Sequence, residues 1–167
     1  MLTLVNLGWS FGGVVAFEVA NRLENQDLAV EAVLLIDAPP PIKHNIMSPL
    51  LIDHILDTIL QLPAGAKRDF IRKEFMNSTK LLDQYSSPTA GSRLPQVSYV
   101  RCTEYLSLAH LPYDIPIPYW MSSDAGGLSA AVEWEKATNQ PVAHSVVHGT
   151  HFNIFSEEVG DETFHAF

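Results

Sequence analysis

With 167 residues, 47% of them hydrophobic, the chain has enough apolar side chain for one domain with a sizeable core, which excludes a disordered protein. Ten Lys and Arg stand against nineteen Asp and Glu, a formal charge of −9 with no basic run, so nucleic acid and anionic membrane surfaces are disfavoured as partners. Cys102 is the only cysteine, which excludes an intramolecular disulfide and a cysteine-built metal site.

The first residues, MLTLVNLG, show no basic region and no cleavage pattern, and no apolar stretch reaches the roughly 18 residues of a membrane span. The expectation is a soluble, cytoplasmic protein. LTLVNL (2–7) is a short run of strand formers stopped by Gly8 and reads as a buried strand. Residues 11–25 repeat apolar side chains at helical spacing (Val15, Val19 and Leu23; Ala16, Ala20 and Leu23) and fade into the polar NQD. LAVEAVLLID (28–37) is again a continuous aliphatic run. Strand, helix, strand in this order builds a right-handed parallel crossover with buried strands.

After DAPPPIKH, three prolines forbid continued regular structure. Residues 45–62, 64–83 and 96–110 carry helix-like patterns separated by LPAGA and SSPTAGSRLP, and they read as an inserted helical cap. DIPIPYWMSS (114–123) is predicted to return as a strand whose prolines suit an entry or edge position, GLSAAVEWEKAT (127–138) as a helix and PVAHSVVH (141–148) as a further strand. A helix is expected to open the C-terminal FNIFSEEVGDETFHAF. The fold class is α/β in one domain, with 1–41 and 112–167 as the sheet-bearing core and 42–111 as a helical lid.

Gly8-Trp9-Ser10-Phe11-Gly12 matches G-x-S-x-G, a turn between strand and helix that lifts a serine hydroxyl clear of the sheet. Positions two away on either side of Ser10 approach each other closely, so Gly8 and Gly12 answer a steric demand, and Gly13 lets the helix start tight against the strand. The helix dipole and the backbone N–H of Phe11 point where an oxyanion would develop. A serine hydroxyl needs a base, and the base needs an acid to fix its tautomer. HGTHFNIF (148–155) offers His148 and His151 just past the last predicted strand. His151, with Gly149 behind it and an apolar start in front, is the better base, while His148 reads as structural. The remaining histidines, at 44, 54, 110, 144 and 165, read as surface or packing residues. Two acids reach the same sheet edge by topology, Asp37 at the end of the second strand and Asp124 after 114–123.

GWSFGGVVAFEVANRL, VLLIDAPPP and HGTHFNIF together resemble the thioesterase domains that terminate polyketide synthases and nonribosomal peptide synthetases, the fungal ones especially, within the α/β-hydrolases. The resemblance is most specific over 6–41 and 141–156. It implies Asp37 as the acid and His151 as the base, with Ser10 as the nucleophile. It also implies transfer of an acyl or polyketide chain from a thioester, carried on the phosphopantetheine of an acyl carrier protein or synthase or on coenzyme A, to Ser10 and then to water or to a nucleophile in the chain itself. No cofactor or metal is implied. The middle helices would form a lid over an acyl chamber, where the stripe Leu50, Leu51, Ile55, Ile59 and Leu60 either lines the chamber or fills ordinary core.

In that family the elbow lies well inside the domain. Here it begins at Gly8, seven residues after Met1, so the sheet is expected to lack its N-terminal strands and the loop with the second oxyanion donor. The first strand then stands at an edge that invites association. A carboxylesterase or lipase would use the same three residues, and a shortened module that binds a carrier protein or partner enzyme without turnover is the non-enzymatic alternative.

Overall fold

Leu4–Trp9 (β1), Val30–Ile36 (β2), Gln96–Cys102 (β3) and Ala143–Val147 (β4) lie side by side in chain order, each parallel to the next. The computed structural model describes residues 4–42, 47–86, 95–104, 111, 115–121 and 125–156. Parallel pairing needs a crossover between consecutive strands, and helices supply it. These are Phe11–Glu24 (α1) after β1, Pro49–His54 (α2) and Ala66–Gln84 (α3) between β2 and β3, and Ala125–Thr138 (α4) before β4. A π-helical turn, Ile55–Ile59, continues α2, and a 3₁₀ turn covers Tyr119–Met121.

Strand residues alternate between two faces of the sheet. Val33, Leu35, Val97 and Tyr99 share the larger core with Val14, Phe17 and Ala20 of α1 and with Ala130, Ala131 and Trp134 of α4. Phe17 and Trp134 meet edge to face at 5.2 Å, both fully buried, and the Trp134 indole donates to the Ala38 carbonyl at 3.2 Å. Burial of side chains this large contributes on the order of 2–3 kcal/mol each. On the opposite face Ile36, Val100, Cys102, Val147 and Ile154 form a smaller cluster. Towards β1 that face opens, with Val5 61% and Leu7 60% exposed, and β1 is an edge of the four-stranded sheet.

The third cluster joins the connection after β2 to residues that follow β3 and β4. Leu51, Ile55 and Met121 are buried, with Phe75, Trp120 and Phe152 packed around them. Asp53 joins α2 to α3 through Arg72 (2.8 and 3.0 Å) and Arg68 (3.5 Å), and Arg68 also bonds Asp57 at 2.6 Å. The far end of α3 is tied to α1, where Tyr85 Oη donates to Glu18 at 3.0 Å.

Two sequence expectations are corrected. Residues 96–102 are a sheet strand, not part of a helix within the 42–111 lid. A strand covered on both faces carries apolar residues on both, so Val97 and Val100 fall three apart and imitate helical spacing. Conversely, the strand expected over 114–123 is absent from 115–121. Pro116 and Pro118 lack the N–H that a ladder needs, Ile115 and Ile117 pack on the third cluster, and a 3₁₀ turn follows. The helix expected to open the C-terminal stretch is a series of turns over 151–155.

Candidate active site

The backbone ladder places the first two functional side chains. Trp9 and Ile36 are register partners at the ends of β1 and β2. One residue further on, Ser10 N donates to Ile36 O at 2.9 Å and Asp37 N donates to Val100 O at 2.7 Å. Ser10 and Asp37 therefore emerge at the same rim, each pinned by one more ladder bond. Both then leave strand geometry at positive φ, 55° for Ser10 and 44° for Asp37, a region costly for residues other than glycine.

The turn that holds Ser10 is close-packed at Gly8 and Gly13 and open at Gly12. A Cβ at Gly8 would lie 2.1 Å from the Gly12 carbonyl oxygen and 2.5 Å from Gly13 N, and a Cβ at Gly13 would lie 2.5 Å from that of Ala38. A Cβ at Gly12 would meet nothing within 4 Å. The steric demand expected at both Gly8 and Gly12 thus falls on Gly8 and Gly13.

The third side chain arrives from the loop after β4. Gly149, at φ 111°, turns the chain back, and Asn153 N and Ile154 N bond the Thr150 carbonyl to make one compact turn anchored by the fully buried Ile154. On that turn His151 is 8% exposed. Its Nε2 lies 2.9 Å from Ser10 Oγ and its Nδ1 lies 2.7 Å from Asp37 Oδ2. The other oxygen of Asp37 accepts from the backbone N–H of Cys102 at 3.3 Å. Burial, reinforced by the adjacent Asp37 carboxylate, pushes the Cys102 thiol up, so it stays protonated beside that carboxylate.

Three aromatic rings surround the imidazole. Trp9 lies 5.0 Å away and tilted by 32°, Phe152 4.9 Å away edge-on, and Trp120 5.8 Å away. Above Ser10 opens a chamber of about 490 Å³ whose floor is Ser10, Phe11, Gly12 and His151 and whose opposite wall comes from α3, with Phe70, Ile71, Phe75 and Thr79. Phe11 is the first residue of α1, so its N–H belongs to the first turn, whose donors have no intrahelical acceptor.

Of the sequence-predicted residues, Ser10, Asp37, His151 and Phe11 converge here. His148 does not: it pairs with Glu104 at 2.8 Å on the surface. Asp124, like His44, His110 and His165, lies outside the described residues. Of the stripe on 50–60 only Leu60 borders the chamber. Leu51 and Ile55 fill the third cluster, Ile59 packs against it and Leu50 is 63% exposed. Trp9, Trp120 and the α3 aromatics were missed. The available signal was the bulky residue inside the elbow and the spacing Phe70, Ile71, Phe75, Leu82 along one helix face.

A parallel sheet with a serine at a strand-to-helix elbow, and an acid and a histidine at the same rim, defines the α/β-hydrolase class. Within that class, the chain belongs to the thioesterase domain family, whose profile matches residues 4–166. Among curated relatives, the orsellinic acid synthase ArmB of Armillaria ostoyae is 32% identical over 154 residues, covering 89% of this chain and 7% of that synthase. The thioesterase frbE of Dothideomycetidae sp. (strain 11243) is 26% identical over 166 residues, covering 90% of this chain and 58% of that protein. In fold the chain is similar to the NocB thioesterase domain, solved as a covalent complex with a fluorophosphonate nocardicin G analog (TM-score 0.68, 22% identity, 96% of this chain and 62% of that one). It is also similar to human thioesterase 2 (TM-score 0.61, 15% identity, 97% and 69%). Among the described residues no helix is long and apolar enough to cross a membrane.

Proposed function

We propose that this chain cleaves acyl thioesters by transfer through Ser10. The observation that carries this reading is the unbroken contact line from Ser10 Oγ to His151 Nε2 to Asp37 Oδ2, at 2.9 and 2.7 Å, on the floor of an apolar chamber. With the Nδ1 proton held by Asp37, Nε2 is the acceptor and takes the Ser10 proton as Oγ attacks the thioester carbonyl. Negative charge on the carbonyl oxygen is met by the Phe11 N–H and the positive end of α1. His151 then returns its proton to the departing thiolate. In the second half, water or a hydroxyl of the acyl chain attacks the Ser10 ester, His151 again accepts the proton and passes it to Ser10 Oγ as the acyl–Oγ bond breaks, and an acid or a cyclic ester leaves.

The substrate class is a polyketide acyl chain, delivered on the phosphopantetheine of a carrier protein or synthase. Two observations support it: the curated relatives include orsellinic acid synthases, and the chamber carries the rings of Trp9, Phe11, Phe70, Phe75, Trp120 and Phe152, a wall suited to a flat acyl group.

The test uses a fluorophosphonate, the warhead that captured the NocB domain. Wild-type protein is expected to be labelled at Ser10 and to release acid from an acyl-pantetheine thioester faster than from the matching oxygen ester. Ser10→Ala loses labelling, and its turnover falls by about 10³-fold or more, with the melting temperature unchanged. Folded wild-type protein that is neither labelled nor active would defeat the reading.

A further inference from the structure

The residue between Gly8 and Ser10 has a second connection. Trp9 Nε1 donates to the backbone carbonyl of His151 at 3.1 Å, across 142 positions of sequence. Its ring lies over the imidazole at 5.0 Å and 32°, and meets Phe152 and Phe155 edge to face at 6.4 and 5.8 Å. One side chain thus touches the His151 turn at its backbone and at three of its rings.

His151 lies four residues beyond the end of β4, outside the ladder that pins Ser10 and Asp37. Its ring still has to keep two bonds at once, to Ser10 and to Asp37. We propose that Trp9 is a positioning residue for His151, a role that rests on the reading of His151 as the base. The indole N–H locks the turn to the elbow, so the base and the nucleophile are carried by one rigid body. Because Trp9 and Ser10 are adjacent, any displacement of the elbow carries the base with it. The indole face lies within the distance at which an aromatic ring stabilises a cation, so it favours the imidazolium that forms when Nε2 takes the serine proton. A misplacement of about 1 Å in such a pair costs on the order of 10²-fold in rate.

Two variants of the full chain separate the parts of this role. Trp9→Phe keeps a ring over the imidazole and removes the N–H donor, whereas Trp9→Leu removes both. Three quantities are measured: the labelling rate of Ser10 by diisopropyl fluorophosphate, which is too small to need the chamber; kcat and KM for an acyl-pantetheine thioester; and the low-field proton resonance of the His151–Asp37 hydrogen bond in the resting protein. The expected result is a labelling rate and kcat lower by about tenfold in Trp9→Phe and about 100-fold in Trp9→Leu. KM stays within about twofold in Trp9→Phe, which keeps a ring in the chamber wall, and rises in Trp9→Leu, which loses it, and the low-field resonance is broadened in both variants. Wild-type rates and an unchanged resonance in Trp9→Phe overturn the proposal and leave the Ser10 reading standing. A rise in KM alone also overturns it, because Trp9 would then be only a substrate contact. Absence of labelling in wild type defeats the reading beneath it, and the resonance still decides whether Trp9 holds the histidine. Should Trp9→Leu fail to fold, Trp9→Phe decides alone.

Discussion

The sheet rim and the helical roof above it are built by different forces. At the rim, Ser10 and Asp37 are held by main-chain bonds to Ile36 and Val100, extensions of the β1–β2 and β2–β3 ladders. The roof of α2, the π turn and α3 is held by side chains: a small buried cluster around Leu51 and Ile55, and partly exposed charge pairs between Asp53, Asp57, Arg68 and Arg72. It leaves Leu50, Phe70 and Leu81 more than half exposed. Strand register places Ser10 and Asp37 regardless of which side chains surround them, and the Trp9 bond ties His151 to the same elbow, so the chamber can change shape without moving the chemistry. Substitutions at the rim should act on rate, and substitutions in the roof on substrate affinity.

The sharpest test of the rim is Asp37→Asn. The carboxylate accepts from His151 Nδ1 through one oxygen and from Cys102 N through the other. An amide can keep the Cys102 bond, but its NH₂ group then faces Nδ1 and can only donate. That forces the ring proton onto Nε2, where it blocks acceptance of the Ser10 proton. Turnover and fluorophosphonate labelling should fall by about 10³–10⁴-fold with no change in fold, measured by single-turnover kinetics beside circular dichroism. A loss below tenfold would mean that the rim geometry does not carry the rate.

Next in size is a contrast inside the elbow. Gly8→Ala puts a methyl group 2.1 Å from the Gly12 oxygen, against backbone that cannot yield, whereas Gly12→Ala meets nothing within 4 Å. Gly8→Ala should destabilise the chain by more than about 4 kcal/mol in urea unfolding. Gly12→Ala, in the first turn of α1, should be neutral or stabilising by up to about 1 kcal/mol, because alanine is the better helix former. Equal unfolding midpoints for the two variants would show that the elbow tolerates bulk on either arm.

The same division explains what could be read before any coordinates. Local rules reach β1, α1 and β2 as elements, and the rim positions of Ser10 and Asp37 follow from where two adjacent strands stop, but burial does not follow the apolar runs: Val5 and Leu7 of the strand expected to be buried stand 61% and 60% exposed at the open face, and Val15 and Val19 of the helical stripe are exposed while Val14, Phe17 and Ala20 face the core. His151 was legible because a glycine at 149 marks a turn after a strand. The sequence points to 114–123 for the third strand instead of 96–102, because burial on both faces erases the period-two pattern in QVSYVRC, while Ile115 and Ile117 between prolines imitate it. The chamber wall was illegible for a different reason. Leu51 of α2, Ile55 of the π turn and Phe70 and Phe75 of α3 all belong to apolar stripes, and only tertiary packing decides which stripe faces inward.

The smallest expected effect lies at the charge pairs that join α2 to α3. The hydrogen bond from Arg72, helped by the Coulomb field of Arg72 and Arg68, holds the Asp53 carboxyl below its ordinary value of 3.8. A lowered carboxylate pKa means that the folded form binds its proton less readily than the unfolded chain does. The pair therefore contributes fully above about pH 4 and fades as pH falls through the lowered value. Both partners are about one-third exposed, so solvent screens the pair and its weight is small. Arg72→Met keeps the side-chain stem against the helix and removes the bidentate contact. It should raise KM for an acyl-pantetheine thioester by about twofold at neutral pH and leave the labelling rate of Ser10 unchanged, because the roof loosens while the rim stays where the strand ladder holds it. Adding salt should bring wild type towards the variant. A change in labelling rate, instead of in KM, would mean that roof and rim are mechanically one piece.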